Sequence, residues 1–504
     1  MLYCAPIHAA SEVPVLAAAG ASELYCGIQE EWWRERYGDH DSISRRQGMA
    51  NLSTREELAQ LVAAAHTHGL PVFLALNGHY DEKQLDHLMD LSAAFEQMGG
   101  TGVIVRDLGL LWRLRETRTS LVRVLSLLSA CANGQSARAF AQLGVSRIVF
   151  PRFMDARMAK EVLRAVPGME AESMVFFDKC PLVDGYCEHY HGVGYAPRTG
   201  ADAQIPGEPL YTFCTTYTTH ACLGTNRNYA NPYPCGACEA SAFGRAGVRF
   251  GKLGGRGRPL EERVRALRFL RLAESLESNK QRAELYERTF GRSCSCYYGP
   301  ATQRFWAIEE PAVVRDEGRI YVGGQTSPKE LAEVLERTPP IDAAITLLLP
   351  PSSHDWLRDG GVDKVLSWAG RCRELGAGRD VHICANDMGT LAAFSARSAV
   401  ARGSLKLTAG SLLVGGGVPV EAGQFVGKSQ NPPRAVWDAD GNPRVLTYRK
   451  PSTELLDHWT RGLRLENRPS LREALSFVAG GLSIEAEFPH KQWGYAPLLD
   501  TERR

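Results

Sequence analysis

The chain has no excess of charge of either sign. Of its 504 residues, 58 are Lys or Arg and 57 are Asp or Glu, a formal net charge of +1. That balance gives no support for a broad nucleic-acid or membrane-binding surface, although it allows a local basic cleft. No apolar run approaches the roughly 20 residues that span a bilayer. The opening Met1-Leu2-Tyr3-Cys4-Ala5-Pro6 lacks the charged n-region of a secretory signal, so the expected setting is the cytoplasm. Two hydrolase signatures are also missing: the sequence holds neither H-E-x-x-H nor G-x-S-x-G. Cysteine, by contrast, is plentiful. Thirteen of them, an odd number, in a reducing compartment suit free thiols and a metal site better than a disulfide framework.

The length and a hydrophobic fraction of 44% leave room for two or more domains. Over the first 280 residues short apolar runs alternate with amphipathic, helix-periodic stretches. Strands are expected at 2–6, 23–27, 72–77, 102–107, 121–129, 147–151, 170–177 and 248–253. Eight such units suggest an α/β fold of the (β/α)8, TIM-like type, with an open doubly wound sheet as the alternative. In a barrel the chemistry sits at the C-terminal strand ends. Those ends carry Asn77, Asp107, Ser129, Arg152 and Glu172. Asp107 and Glu172 are candidate acid–base groups, and Asn77, Arg152 and Arg256 are candidate substrate contacts. Residues 281–318 read as a charged, irregular linker. From 319 to 504 the alternation resumes as a smaller α/β domain, which could be a partial second barrel. Val103–Gly109 and His382–Gly389 are alike, each with a strand running into an Asp that precedes a helix.

After the seventh expected strand comes a long segment, 178–240, with little apolar periodicity. It holds Cys180, Cys187, Cys214, Cys222, Cys235 and Cys238, with His189, His191 and His220 among them. A stretch of this length without its own helix or strand pattern is unusual unless it is functional or tied down. Thiolates converging on one metal would tie it down. Zinc would favour paired C-x-x-C knuckles, and only Cys235–Cys238 has that spacing. The wide, irregular spacing of the others suits an iron–sulfur cluster, with structural zinc left open. Cys4, Cys26, Cys131, Cys372 and Cys384 lie in apolar contexts and read as core residues. Cys294 and Cys296 have no assigned role at this level.

Several stretches together resemble the collagenase-like proteins of unassigned peptidase family 32. They are Glu23-Leu24-Tyr25-Cys26-Gly27, Asn51-Leu52-Ser53 with His66 and Gly69, Val105–Gly109, Cys180-x6-Cys187 and, longest, Gly247–Arg256. The resemblance covers roughly residues 1–280. It implies an oxygen-independent hydroxylase with a 4Fe–4S cluster on four cysteines, linked to prephenate as the oxygen source. It also implies, as alternative substrates, a small aromatic or heterocyclic molecule or an RNA base, and a homologous partner subunit or homo-oligomer. On this reading Cys180, Cys187 and Cys235 are ligands with one of Cys214 or Cys222. The family's third cysteine follows Asn-Arg-Gly, whereas Asn226-Arg227-Asn228 here has no cysteine until Cys235. A peptidase and a non-catalytic, zinc-stapled scaffold are the remaining readings.

Overall fold

Eight parallel strands close on themselves, each largely buried, with one face turned to the barrel axis and one to a layer of helices. In the computed structural model they are β1 (Leu2–Pro6), β2 (Glu23–Cys26), β3 (Val72–Leu76), β4 (Gly102–Val105), β5 (Val122–Leu125), β6 (Arg147–Val149), β7 (Glu170–Phe176) and β8 (Phe250–Leu253). They are hydrogen-bonded in chain order, and β8 returns to β1 with Tyr3 opposite Gly251. The (β/α)8 expectation is therefore met. The structure describes residues 1–37, 42–46, 50–178, 233–294, 296–298 and separate stretches between 313 and 486. Among these no helix is long and apolar enough to cross a membrane.

Several helices between the strands start where short polar side chains accept backbone N–H groups. Thr54 caps Arg55–Thr67, Asn133 caps Gly134–Gln142, and Asp155 caps Ala156–Arg164. The fifth strand is shorter than the expected 121–129. Ser126 accepts from the N–H of Leu128 and turns the chain into a short 3₁₀ segment, Leu127–Ser129, which lines the barrel mouth. The stretch read as irregular from 281 begins instead within a helix, Asn279–Phe290. Ser278 and Gln281 cap it reciprocally.

Inside the barrel, Cys4, Tyr25, Phe73, Ile104, Val124 and Val149, one from each of the first six strands, pack as one cluster. Beneath them Arg147 is clamped by Glu23 at 2.7 and 3.1 Å and by Glu170 at 2.9 Å, with its guanidinium 3.7 Å from the Phe250 ring centre. Burial pushes the Glu23 carboxyl above its ordinary range even though Arg147 pulls the other way.

Contacts divide the described chain into two units. The first holds residues 1–79, 83–130 and 144–305, and the second 80–82, 131–143 and 306–504. The second contains an open six-stranded sheet. Its order is Glu485–Ala486, β13 (Lys406–Ala409), β12 (Val381–Ala385), β11 (Ala344–Leu348), β10 (Arg319–Gly323) and β9 (Val313–Asp316). All pairs are parallel except β9 with β10. The likeness of Asp107 and Asp387 has a local cause. Each caps the helix that follows, accepting from Leu110 N at 2.9 Å and Thr390 N at 3.0 Å.

Arg147→Met should lower stability by about 3–5 kcal/mol, because it strands a buried carboxylate. Glu23→Leu combined with Arg147→Met should recover most of that loss, since desolvation already outweighs pairing at Glu23. Urea midpoints of the single and double variants check this, and a double variant no better than the single would refute it.

Candidate functional site

At the C-terminal ends of the strands the chain folds around a cavity that opens to solvent. Its charge is one-sided. Among the described residues Arg45, Arg46, Arg152, Lys252 and Arg256 line it, with the carboxylate of Asp178. Three of the residues expected from sequence, Asn77, Arg152 and Arg256, meet here.

Arg256 is 5% exposed and donates from one terminal nitrogen to the Ser44 carbonyl at 2.7 Å. Its other terminal nitrogen is buried without a hydrogen-bond partner, and so is Oδ1 of Asn77. Burial pulls the Arg256 guanidinium down to about 10. Gly27 makes room for it. A Cβ there would stand 2.4 Å from Arg256 and 2.3 Å from Asn51 Oδ1. An unpartnered buried guanidinium nitrogen is costly unless something pairs with it, and a ligand oxygen would do so.

Asp178 ties the rim together. Its Oδ2 accepts from Arg46 and from the Gly255 N–H, each at 2.7 Å, and its carbonyl accepts from Arg152. Gly255 sits at φ +82°, the left-handed region that glycine occupies without strain. Phe177 and Asp178 adopt the same region, at +61° and +50°. Such positions persist in non-glycine residues only when surrounding contacts fix them. Burial would raise the Asp178 carboxyl, but Arg46, Arg258 and the Gly255 N–H outweigh it and hold it down to about 2.

On the cavity floor Lys252 lies 3.1 Å from Glu172, 3.8 Å from the Cys4 sulfur and 4.0 Å from the Tyr25 ring centre. Glu172 is thus present near the site but engaged by a buried cation. Asp107 is fully buried, uses one oxygen for its helix cap, and has the other 3.5 Å from His79 Nδ1. It does not line the cavity. Sequence reading missed Arg45, Arg46, Asp178 and Lys252. Lys252 stood inside the longest family-like stretch, and the adjacent Arg45-Arg46 pair was a visible signal in an otherwise unassigned loop.

Cys180, Cys187, Cys214 and Cys222, with His189, His191 and His220, lie outside the described residues. Cys235 is described, and it is on the other side of the barrel wall. It pairs with Phe176 at the end of β7, and directly paired residues share a face. The Phe176 ring packs against Phe269 and Phe290 of the outer helices. Around Cys235 stand Cys238, Cys294 and Cys296. Burial pushes the Cys235 thiol well up and that of Cys238 up to about 11.

Fold and site together define a (β/α)8-barrel protein with a cationic cavity at the strand ends. The chain belongs to Peptidase family U32, whose family model matches residues 9–298. The tRNA hydroxylation protein P of Escherichia coli (strain K12) is 26% identical over 171 residues, which is 34% of this chain and 35% of that protein. The match thus spans about a third of the relative. Among solved structures, the U32 peptidase Mk0906 aligns at 14% identity over 51% of this chain and 94% of its own, with a TM-score of 0.31. A 2,3-dimethylmalate lyase aligns at 11% identity over 58% of this chain and 84% of its own, with a TM-score of 0.28.

Asp178 yields a pH prediction. Its folded value near 2 lies below the ordinary value near 4, so its stabilisation is complete above about pH 4 and is lost as pH falls toward 2. Asp178→Asn should cost on the order of 2 kcal/mol at pH 6 and about half of that at pH 3. Equal urea-midpoint differences at the two pH values would contradict this.

Proposed function

We propose that this chain is an iron–sulfur hydroxylase that works without O₂ on a small aromatic or heterocyclic substrate at the barrel mouth. An anionic oxygen donor of the prephenate type would bind beside that substrate. The observation that carries this reading is the excess of cations around the cavity, with buried, unpartnered polar atoms on Arg256 and Asn77. Membership of the U32 family and the relative named for tRNA hydroxylation support it.

The donor set suits a cluster in kind, since soft thiolates are its usual ligands. Cys180, Cys187 and Cys235, with one of Cys214 or Cys222, would hold it. Bound there, the cluster would supply redox chemistry or an open iron site for the oxygen donor. The chain's own residues do the rest. Arg256 pairs with a ligand carboxylate through its second guanidinium nitrogen, and Asn77 accepts from a ligand hydroxyl or ring N–H through Oδ1. Arg46 and Arg152 stay fixed by Asp178, so the cationic wall is already in place before the ligand arrives. Lys252, neutralised in part by Glu172, closes the floor.

A second reading takes an RNA base as the substrate, and the relative's name is the observation that favours it. A peptidase is less well supported. Among the described residues the cavity lining includes no histidine and no cysteine, so no nucleophile–base pair stands there.

Anaerobically purified protein should be brown and carry acid-labile sulfide with about four irons per chain. Cys180→Ser and Cys187→Ser should lose most of the iron while circular dichroism stays near wild type. Full iron in both variants would end the cluster reading. Arg256→Met should weaken prephenate binding at least tenfold by calorimetry. If it leaves prephenate binding intact but abolishes turnover of a tRNA substrate, the RNA reading replaces the first.

A further inference from the structure

Arg256 stands between two glycines that both occupy the left-handed region, Gly255 at φ +82° and Gly257 at +86°. Glycine leaves the backbone permissive, so a residue flanked this way owes its direction to whatever holds its neighbours. Both neighbouring N–H groups are held by side chains. Gly255 donates to Asp178 at 2.7 Å, and Gly257 donates to His8 Nε2, also at 2.7 Å. Asp178 lies just past the end of β7 and His8 just past the end of β1, the two strands that flank β8 in the barrel. His8 is itself fixed. Its own N–H donates to Glu12 at 2.9 Å, and Glu12 takes Arg263 through both oxygens, at 2.9 and 2.5 Å. Arg263 also donates to the carbonyls of Pro6 at 2.8 Å and Arg258 at 3.0 Å, which joins the end of β1 to the far end of the turn. A ring nitrogen accepts only when the imidazole is neutral, here with its proton on Nδ1, 4.0 Å from Glu12 Oε1. Burial, Arg263 and Arg256 pull the imidazole down to about 4 against the Glu12 carboxylate, so the ring is neutral near pH 7.

We propose that His8 is a positioning residue for Arg256: as the acceptor at the Gly257 N–H, it completes a two-point clamp that holds the guanidinium at the cavity. The inference rests on the reading of Arg256 as the partner of a bound anion. One terminal nitrogen of Arg256 is committed to the Ser44 carbonyl, so the direction of the buried, unpartnered one follows from that bond and from the backbone at 255–257. A clamp that sets this direction before binding lowers the ordering cost of recognition. The two halves of the clamp differ in reach. Asp178 also serves Arg46 and Arg152, so its loss would disturb the whole rim. His8 holds the other side of Arg256, so replacing it loosens the turn and leaves those two arginines on their carboxylate. Neutrality is part of the role. A protonated ring would lose its acceptor and set a second cation against the Gly257 N–H and beside Arg256.

The test compares His8→Leu with His8→Gln in the full chain purified anaerobically. The Gln amide oxygen can stand where Nε2 stands, whereas Leu offers no acceptor. Two quantities are read near pH 7: hydrogen exchange of the 254–258 segment without ligand, and calorimetric affinity for prephenate alone. His8→Leu should speed exchange there about tenfold and weaken prephenate binding about fivefold, while His8→Gln stays within about twofold of wild type in both. That rescue separates an acceptor from a ring that merely fills space. Wild-type exchange in His8→Leu overturns the proposal, as does faster exchange with full prephenate affinity. A His8→Gln variant as impaired as His8→Leu overturns it too. Should His8→Leu fail to fold, His8→Asn takes its place, because its shorter amide stops short of Gly257. Impairment in His8→Asn but not in His8→Gln then supports the clamp, and equal behaviour of the two overturns it. If wild type does not bind prephenate, the anion reading of the cavity fails, and exchange alone decides the clamp by the same comparison.

Discussion

The mouth of this barrel depends on one carboxylate. Asp178 stands where the chain leaves β7, and it receives Arg46 from the segment after β2, the Gly255 N–H from the turn after β8, and Arg152 from the end of β6. Three separate strand ends are thereby referred to one point. The geometry is tight enough to hold two successive non-glycine residues in the left-handed region. A buried carboxylate is tolerated because the cations around it more than offset its desolvation, and that is why its proton is held so weakly. The same interaction orients two of the cavity's arginines before any ligand binds. Pre-orientation of this kind lowers the ordering cost of recognition.

The barrel was legible in the sequence because the signal for it is repetitive. Each strand is short and mostly buried, several helices have a capped start, and eight repetitions reinforce one another. The ends of elements were less legible. Nothing in Leu121–Ser129 announces that Ser126 will turn the chain, since a serine hydroxyl caps a turn only if the backbone offers it an N–H. Nor did composition announce the helix at Asn279–Phe290, whose signal was the Ser278–Gln281 capping box inside a charged stretch.

The site was legible by position and less so by role. Asn77, Arg152 and Arg256 could be placed at the mouth because barrel strand ends converge there. Asp107 lies just past the end of β4, whereas Glu172, expected at a strand end, is the third residue of β7, and which partner a carboxylate takes depends on neighbours far away in sequence. Asp107 is committed to a helix cap and Glu172 to Lys252, eighty residues later. The cysteines show the same limit. The cysteines upstream of Cys235, with which the resemblance groups it, lie outside the described residues, and no spacing announced that Cys296 would face it across an isolated bridge. A pairing across nearly sixty residues leaves no local pattern.

The interior polar groups, taken from the bottom of the barrel upward, explain why the top is where a ligand belongs. At the base Arg147 faces Glu23 and Glu170, so charge is balanced within the protein. In the middle Lys252 faces Glu172, again a matched pair. At the rim, among the described residues, Arg45, Arg46, Arg152 and Arg256 gather around Asp178. A buried guanidinium nitrogen without a partner is costly, and on the proposed reading an incoming anion would supply that partner to Arg256. The unpartnered nitrogen of Arg256 marks the spot. On the proposed reading this would also favour anions, because a ligand without negative charge would bury the Arg256 nitrogen without pairing it, whereas a carboxylate-bearing one would continue the pattern of charge pairs built beneath it.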